Sequence, residues 1–402
     1  MSVYDAFFGR WPGLNLQVLA PEHRGTDVYR QSSIITTMWQ GVTGSTITLE
    51  TVPLDIYDQQ VAHALAENTA DLVLVPAPWL PWLASQRWLA PLDPLVAESG
   101  PAWAAYADRA NHPALYSELN FEQTRYLIPA FAEVQIVAYR QDWIDRIGAK
   151  PVPVPITLQR LLELVEGLHA SPDYTGAWIG QSSHDAMGAW LSLFFSSGGV
   201  LADATDQIGL NSDAGRRSLS MLRDLPKVPS KEGPGSDQIF SDKPGSPGLC
   251  LLWSSEAHDV LSPEMTACFD RLGYTCLERS AGWSWSFAIN SRSENPLQAL
   301  AFALWATSKD NDRLQGMRSG APVRVTTFSN AAGRNACPWY EVLSEALDRK
   351  PGLPGAVWMP AALMTLSTMV SKVLESSLQI DRALSLAEEE LALIQQQTGI
   401  TE

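Results

Sequence analysis

Fifteen tryptophans, set among scattered acids, histidines and amides, are the residues of this 402-residue chain best equipped for recognition chemistry. An indole presents a flat apolar face and a single N–H donor, a pairing that suits the C–H faces of a sugar ring or the charge of an organic cation. Trp283 and Trp285 alternate, so an extended backbone sends both to one face. Trp79, Trp253 and Trp358 are further candidate platforms. Glu133 stands inside the apolar run YLIPAFAEVQIVAY, where an acid must be paired or solvated. Glu22-His23-Arg24, Ser182-Ser183-His184-Asp185 and Trp253-Ser254-Ser255-Glu256 are polar clusters at the ends of elements. Each fits a ligand contact, and each fits an ordinary exposed turn or helix cap.

Catalysis is a weaker reading of the same residues. Glu133 and Glu256 are imaginable as a glycosidase pair, whose carboxyl groups lie about 5 to 5.5 Å or about 6.5 to 9.5 Å apart. No GxSxG, HExxH, Walker or GxGxxG motif is present, and the adjacent Ser183-His184-Asp185 is unlike a triad, whose members converge from separate segments. The expectation is a binding protein and not an enzyme, with no cofactor. Cys250, Cys268, Cys276 and Cys337 have neither CxxC nor zinc-site spacing, so no metal is expected. Cys268 and Cys276 flank a plausible turn and read equally as a hairpin disulfide or as two free thiols.

The formal charge of −16 repels phosphate backbones and anionic lipid surfaces, which argues against nucleic-acid and membrane partners. No run approaches about 18 apolar residues, and Met1 to Arg30 lacks the basic-then-apolar layout of a signal peptide. The length favours two domains over one.

The elements that would position these residues follow an α/β grammar. Strands are predicted over Leu14–Ala20, Ile47–Val52 and Ala70–Pro76, the last buried on both faces and broken only by Asp71. Helices are predicted over Asp27–Gln40, Asp58–Glu67 and Trp79–Trp88, followed by an extended Pro91–Pro94. From Tyr126 two strands in succession lead into a helix ending near Gly148, and Pro151–Pro155 is a stiff connector. Thr157 and the pair Asn211-Ser212 are candidate helix caps. A helix over Ala186–Phe195 stops at Gly198-Gly199, and Lys227–Gly248 reads as a loop. Leu249–Trp253 and Trp285–Asn290 are strand-like, Pro296–Thr307 is helical, and two helices close the chain over Ala361–Gln397.

In this order the pieces resemble the family of bacterial extracellular sugar-binding proteins that serve ABC importers. The resemblance rests on ADLVLVPAPWLPWLASQRWLAPLDPLV (70–96), YLIPAFAEVQIVAYRQDWIDRIG (126–148), SSGGVLADATDQIGLNSDAGRRSLSMLRDL (196–225), GWSWSFAINSRSENPLQALAFALWATS (282–308) and SGAPVRVTTF (319–328). It implies the periplasmic-binding-protein type II fold: two α/β lobes, residues 1–130 with 287–324 and 131–286 with 325–402, joined by hinge crossings around a ligand cleft.

The resemblance further implies a monomer in the periplasm or otherwise outside the cytoplasm. It would capture a sugar or small glycoside of disaccharide or glycosyl-polyol size and deliver it to a membrane permease. The sequence then reads as a mature exported domain without its leader. A cationic solute such as a polyamine is the alternative ligand, since acids and indoles also build an aromatic cage.

Carried onto the family pattern, Trp79 falls at a ligand-touching loop, and Pro78 stands where a maltose-binding member has an acid. Glu133 aligns with a family acid in the first crossing. Glu22 and His23 fall at polar contacts after the first strand, and His184 and Asp185 where one sugar ring is read. Trp253 and Glu256 fall at a ligand loop, and Trp283 and Trp285 at stacking positions. Arg324 of the third crossing could donate to hydroxyls or form a structural ion pair.

Overall fold

The computed structural model describes residues 7, 9–100, 111–170, 177–180, 182–203, 205–225, 239–242, 246–264, 266, 268–319 and 321–399. The strands used below are β1 (Asn15–Pro21), β2 (Thr46–Val52), β3 (Leu72–Pro76), β4 (Leu127–Arg140), β5 (Ala177–Ile179), β6 (Leu249–Trp253), β7 (Leu272–Thr275) and β8 (Gly282–Ile289). The helices are α1 (Ile34–Thr43), α2 (Tyr57–Glu67), α3 (Leu80–Ser85), α4 (Leu92–Ser99), α5 (Leu158–His169), α6 (Ser183–Ser196), α7 (Asp213–Asp224), α8 (Pro296–Ala306), α9 (Met359–Leu374) and α10 (Ile380–Gly399).

The chain divides into two compact units. Unit 1 comprises residues 1–133, 283–333 and 355–360, and unit 2 comprises 134–282, 334–354 and 361–402. The divisions fall at 133/134, 282/283 and 333/334, against the expected 130/131, 286/287 and 324/325. The short return 355–360 carries Trp358 into unit 1.

In unit 1, β1 pairs parallel with β2 and with β3, while β8 runs antiparallel to β3. Every residue of β3 is buried, the pattern of a strand covered on both faces. Asp71, the one acid in that run, accepts from the Gln17 backbone N–H (2.9 Å) and the Ser293 hydroxyl (2.6 Å), so it ties the start of β3 to its neighbours. Helix α1 packs through Trp39 against Phe302 (5.5 Å, 76°) and Trp305 (5.9 Å, 62°) of α8, two edge-to-face ring pairs.

In unit 2, β6 is the shared strand: β4 pairs with it antiparallel from Gln135 to Tyr139, and β5 pairs with it parallel. Strand β7 pairs with β4 over Val137–Arg140. Trp190 of α6 donates to the Ser218 hydroxyl of α7 (2.9 Å), and Arg216 of α7 reaches Asp381 of α10 (2.8 Å). Thr157 caps α5 and Ser212 caps α7, each through its hydroxyl.

The structure departs from the expected elements at four places. Asp27–Gln40 is not one helix: a 3-10 turn spans Arg24–Tyr29, and α1 starts only at Ile34, where Ser33 Oγ caps the Thr36 N–H. Trp79–Trp88 is a 3-10 turn (Ala77–Trp79) followed by α3, which stops short because Arg87 takes a positive φ of 56°. The segment Pro91–Pro94 is the start of α4 rather than an extended stretch. Pro94 falls within the first turn, where an N–H has no intrahelical acceptor to lose. The region from Leu127 is one strand of 14 residues, not two. All four cysteines are free and buried, which removes the Cys268–Cys276 disulfide. Most of the Lys227–Gly248 loop lies outside the described residues. Among the described residues no helix is long and apolar enough to cross a membrane.

Candidate functional site

Open α/β sheets hold ligands at the carboxyl ends of their strands, because loops and helix starts converge there. In unit 1 that edge is where the chemically capable residues collect. β1 ends at Pro21 and is followed by His23; β2 ends at Val52 and leads to Tyr57; β3 ends at Pro76 and leads to Trp79. Because β8 is antiparallel, its beginning lies at the same edge, with Trp285 directly opposite Pro76.

The rings form a contiguous set. His23 stacks on Phe131 (5.2 Å, 17°) and lies 5.3 Å from Trp285, while Phe131 and Trp285 are themselves stacked at 6.0 Å and 20°. Tyr57 bridges Trp285 (6.4 Å) and Trp79 (5.8 Å). The Tyr57 hydroxyl is held by the Leu19 and Leu74 carbonyls (3.1 and 2.7 Å), and burial pushes its pKa well up. Gly25 admits the Phe131 ring: a Cβ there would lie 2.3 Å from Phe131 Cζ.

His23 has a defined tautomer. Its Nδ1 accepts the Gly25 N–H (3.0 Å), so the proton of the neutral ring sits on Nε2, which lies 3.2 Å from Glu133 Oε2. Glu133 is fully buried, which meets the sequence requirement that an acid in this strand be paired.

The remaining candidates of unit 1 are placed as follows. Trp79 and Trp285 are 8% and 2% exposed, and Trp283 and Trp358 are buried as well. Pro78 is half-buried in the 3-10 turn after β3. Glu22 is exposed, its backbone N–H bonded to the Val52 carbonyl (2.7 Å). Arg324 is fully buried; its Nε donates to the Thr307 carbonyl (2.6 Å) and its backbone N–H to Asp312 (3.2 Å). Asp312 also accepts from Val323 N–H (2.8 Å) and the Thr327 hydroxyl (2.5 Å), and burial raises its pKa despite the charge of Arg324. That network engages the Arg324 Nε and backbone N–H.

Unit 2 repeats the design on a smaller scale. Trp253 ends β6 opposite Gln135, and His184 stacks on Trp253 at 5.4 Å and 24°. Gly188 of α6 leaves room for that indole: a Cβ would lie 2.2 Å from Trp253 Cζ2 and 2.7 Å from Gln135 Nε2. Two of the expected acids have backbone duties. Asp185 accepts the Ser182 N–H (2.9 Å) in a reciprocal cap of α6, and Glu256 Oε2 accepts the Trp253 N–H (3.0 Å).

Sequence reasoning missed Tyr57, Gln135 and the two glycines. Gln135 was discoverable, since it alternates with Glu133 on the same strand face. Gly25 and Gly188 carry no signal that tells their role from that of any other glycine.

A family model described as "Bacterial extracellular solute-binding protein" matches residues 32–239. The chain is 25% identical over 353 residues to a mannitol-binding protein of Pseudomonas aeruginosa, covering 78% of each sequence. It is 23% identical over 210 residues to a probable amino-acid ABC transporter periplasmic-binding protein of Sinorhizobium fredii, covering 50% of this chain but only 48% of that relative. The fold matches a solute-binding protein of Agrobacterium radiobacter K84 crystallised with ribitol, with a TM-score of 0.81 over 95% of this chain and 99% of the other at 18% identity.

Proposed function

The chain belongs to the bacterial extracellular solute-binding protein family, and we propose that it captures a sugar or sugar alcohol outside the cytoplasm for an ABC importer. The observation that carries this reading is the carboxyl edge of unit 1, where stacked rings and a His23-paired Glu133 gather at three strand ends. Rings that shield and buried polar groups that orient are what a hydroxylated solute needs. The mannitol-binding relative and the ribitol-bound structure support the same solute class. The partners in this reading are the solute and the membrane permease, the protein acts as a monomer, and the residues serve binding rather than turnover.

The candidate contacts are His23, Trp79, Glu133, Trp283, Trp285 and Trp358 in unit 1, with His184 and Trp253 in unit 2.

A thermal-shift screen over alditols, mono- and disaccharides, amino acids and polyamines tests the reading, since native-state binding raises the melting temperature by mass action. The expected outcome is a rise with a sugar or alditol and none with amino acids or amines. A rise confined to amino acids or amines would overturn it.

A further inference from the structure

The two indoles at the unit 1 edge have their rings engaged and their donors idle. Trp285 lies beside Phe131, His23 and Tyr57, at 6.0, 5.3 and 6.4 Å. Trp79 meets Tyr57 at 5.8 Å and the Trp82 ring edge-on at 6.0 Å and 81°. Yet the Nε1–H of Trp79 and the Nε1–H of Trp285 are both buried and meet no acceptor among the described residues. An idle buried donor costs roughly 1 to 3 kcal/mol. Trp39 and Trp339 carry the same idle donor, but Trp39 sits among the apolar rings between α1 and α8, away from the strand ends, and Trp339 lies in unit 2 against Tyr274.

Idle donors ask for a group that can accept, which a hydroxyl does and an ammonium does not. A pyranose is additionally read by a bare aromatic face. At this edge other rings lie against the indoles, so recognition falls to the N–H edges, which an open-chain polyol can meet without a platform.

Deepening the proposed function and resting on it, the geometry points to an open-chain sugar alcohol as the solute, with the indole N–H groups of Trp79 and Trp285 donating to its hydroxyls. The roles differ from those of stacking platforms: these tryptophans select by hydrogen bonding.

The test uses the full chain, labelled with 15N, and its indole N–H resonances. The cross-peaks of Trp79 and Trp285 are assigned by their loss in Trp79→Phe and Trp285→Phe, or by sequential assignment of the wild type should a variant not fold. Mannitol, ribitol, mannose and putrescine are titrated in turn, with affinities from calorimetry. The inference expects both cross-peaks to move with an alditol, mannose to bind at least tenfold more weakly, and putrescine to leave both in place. Each Phe variant should lose about tenfold in alditol affinity, the scale of one hydrogen bond, with the melting temperature of the unliganded protein unchanged or raised. Alditol binding with both cross-peaks stationary, or mannose binding as tightly, overturns this inference and leaves the proposed function standing. A panel in which no alditol or sugar binds overturns both.

Discussion

His23 sets its Nε2 3.2 Å from Glu133 Oε2 while its Nδ1 accepts the Gly25 N–H, so a turn after β1 and a buried acid of β4 meet at one imidazole. The arrangement works with a neutral ring. A proton on Nδ1 would confront the Gly25 donor. Replacing His23 by Ala removes the ion-pair neighbour of a fully buried carboxylate and a ring from the Phe131/Trp285 stack. We expect a loss of about 2 to 4 kcal/mol, read from urea unfolding, together with weaker solute binding in calorimetry. A His23→Ala protein as stable as the wild type would show that Glu133 does not depend on the imidazole.

Gly188→Ala should act at a distance from any charge. Its Cβ would lie 2.2 Å from Trp253 Cζ2, so the indole must shift or α6 must move. Overpacking of this kind costs about 1 to 3 kcal/mol. The expected signature is a lower melting temperature and a changed tryptophan emission spectrum; an unaltered spectrum and an unaltered melt would place Trp253 elsewhere.

Asp312→Ala should be among the most damaging single changes in unit 1. The carboxylate accepts from the backbone N–H groups of Val323 and Arg324 and from the Thr327 hydroxyl, and its loss leaves the buried Arg324 charge without it. Breaking a buried charged network costs about 3 to 5 kcal/mol. Arg324→Lys, which keeps the charge but loses the Nε contact to Thr307, should cost less. Chemical denaturation of the two variants ranks them.

Acid should weaken unit 2 through Asp242. Hydrogen bonds from Arg271 and Arg140 hold its carboxyl at about 2, against an ordinary value of 3.8. A depressed folded-state value means stability fully present above about pH 4 and lost as pH falls through about 2. Asp242 is largely exposed, so solvent screening keeps the effect modest. Stability measured from pH 5 to pH 2 should fall less steeply in Asp242→Asn than in the wild type; parallel curves would remove Asp242 from the acid response.

The thiols should be silent in the native protein. Burial raises Cys276 to about 12 and Cys337 to about 11, and Cys250 well above the ordinary thiol range. Only the thiolate reacts. Mass spectrometry after alkylation at pH 8 should show no native modification and four on unfolding without reductant. Two on unfolding would restore the Cys268–Cys276 disulfide.

The sequence by itself determined the elements wherever local pattern is sufficient. The uninterrupted apolar run of β3, the hydroxyl caps Thr157 and Ser212 and the closing helices α9 and α10 are legible because period, propensity and capping are properties of neighbouring residues. It also determined that Glu133, an acid in an apolar strand, needs a partner. Which partner was a tertiary decision: His23 comes from 110 positions away, delivered by the turn after β1. The antiparallel run of β8 sets Trp285 opposite Pro76 and so beside the turn that carries Trp79, and pairing register between distant strands leaves no local trace. The same holds for Asp185 and Glu256, acids whose types suit a ligand but whose oxygens the folded chain uses on its own backbone. Composition says that indoles are plentiful; only the packing decides which of them keep an N–H in reserve.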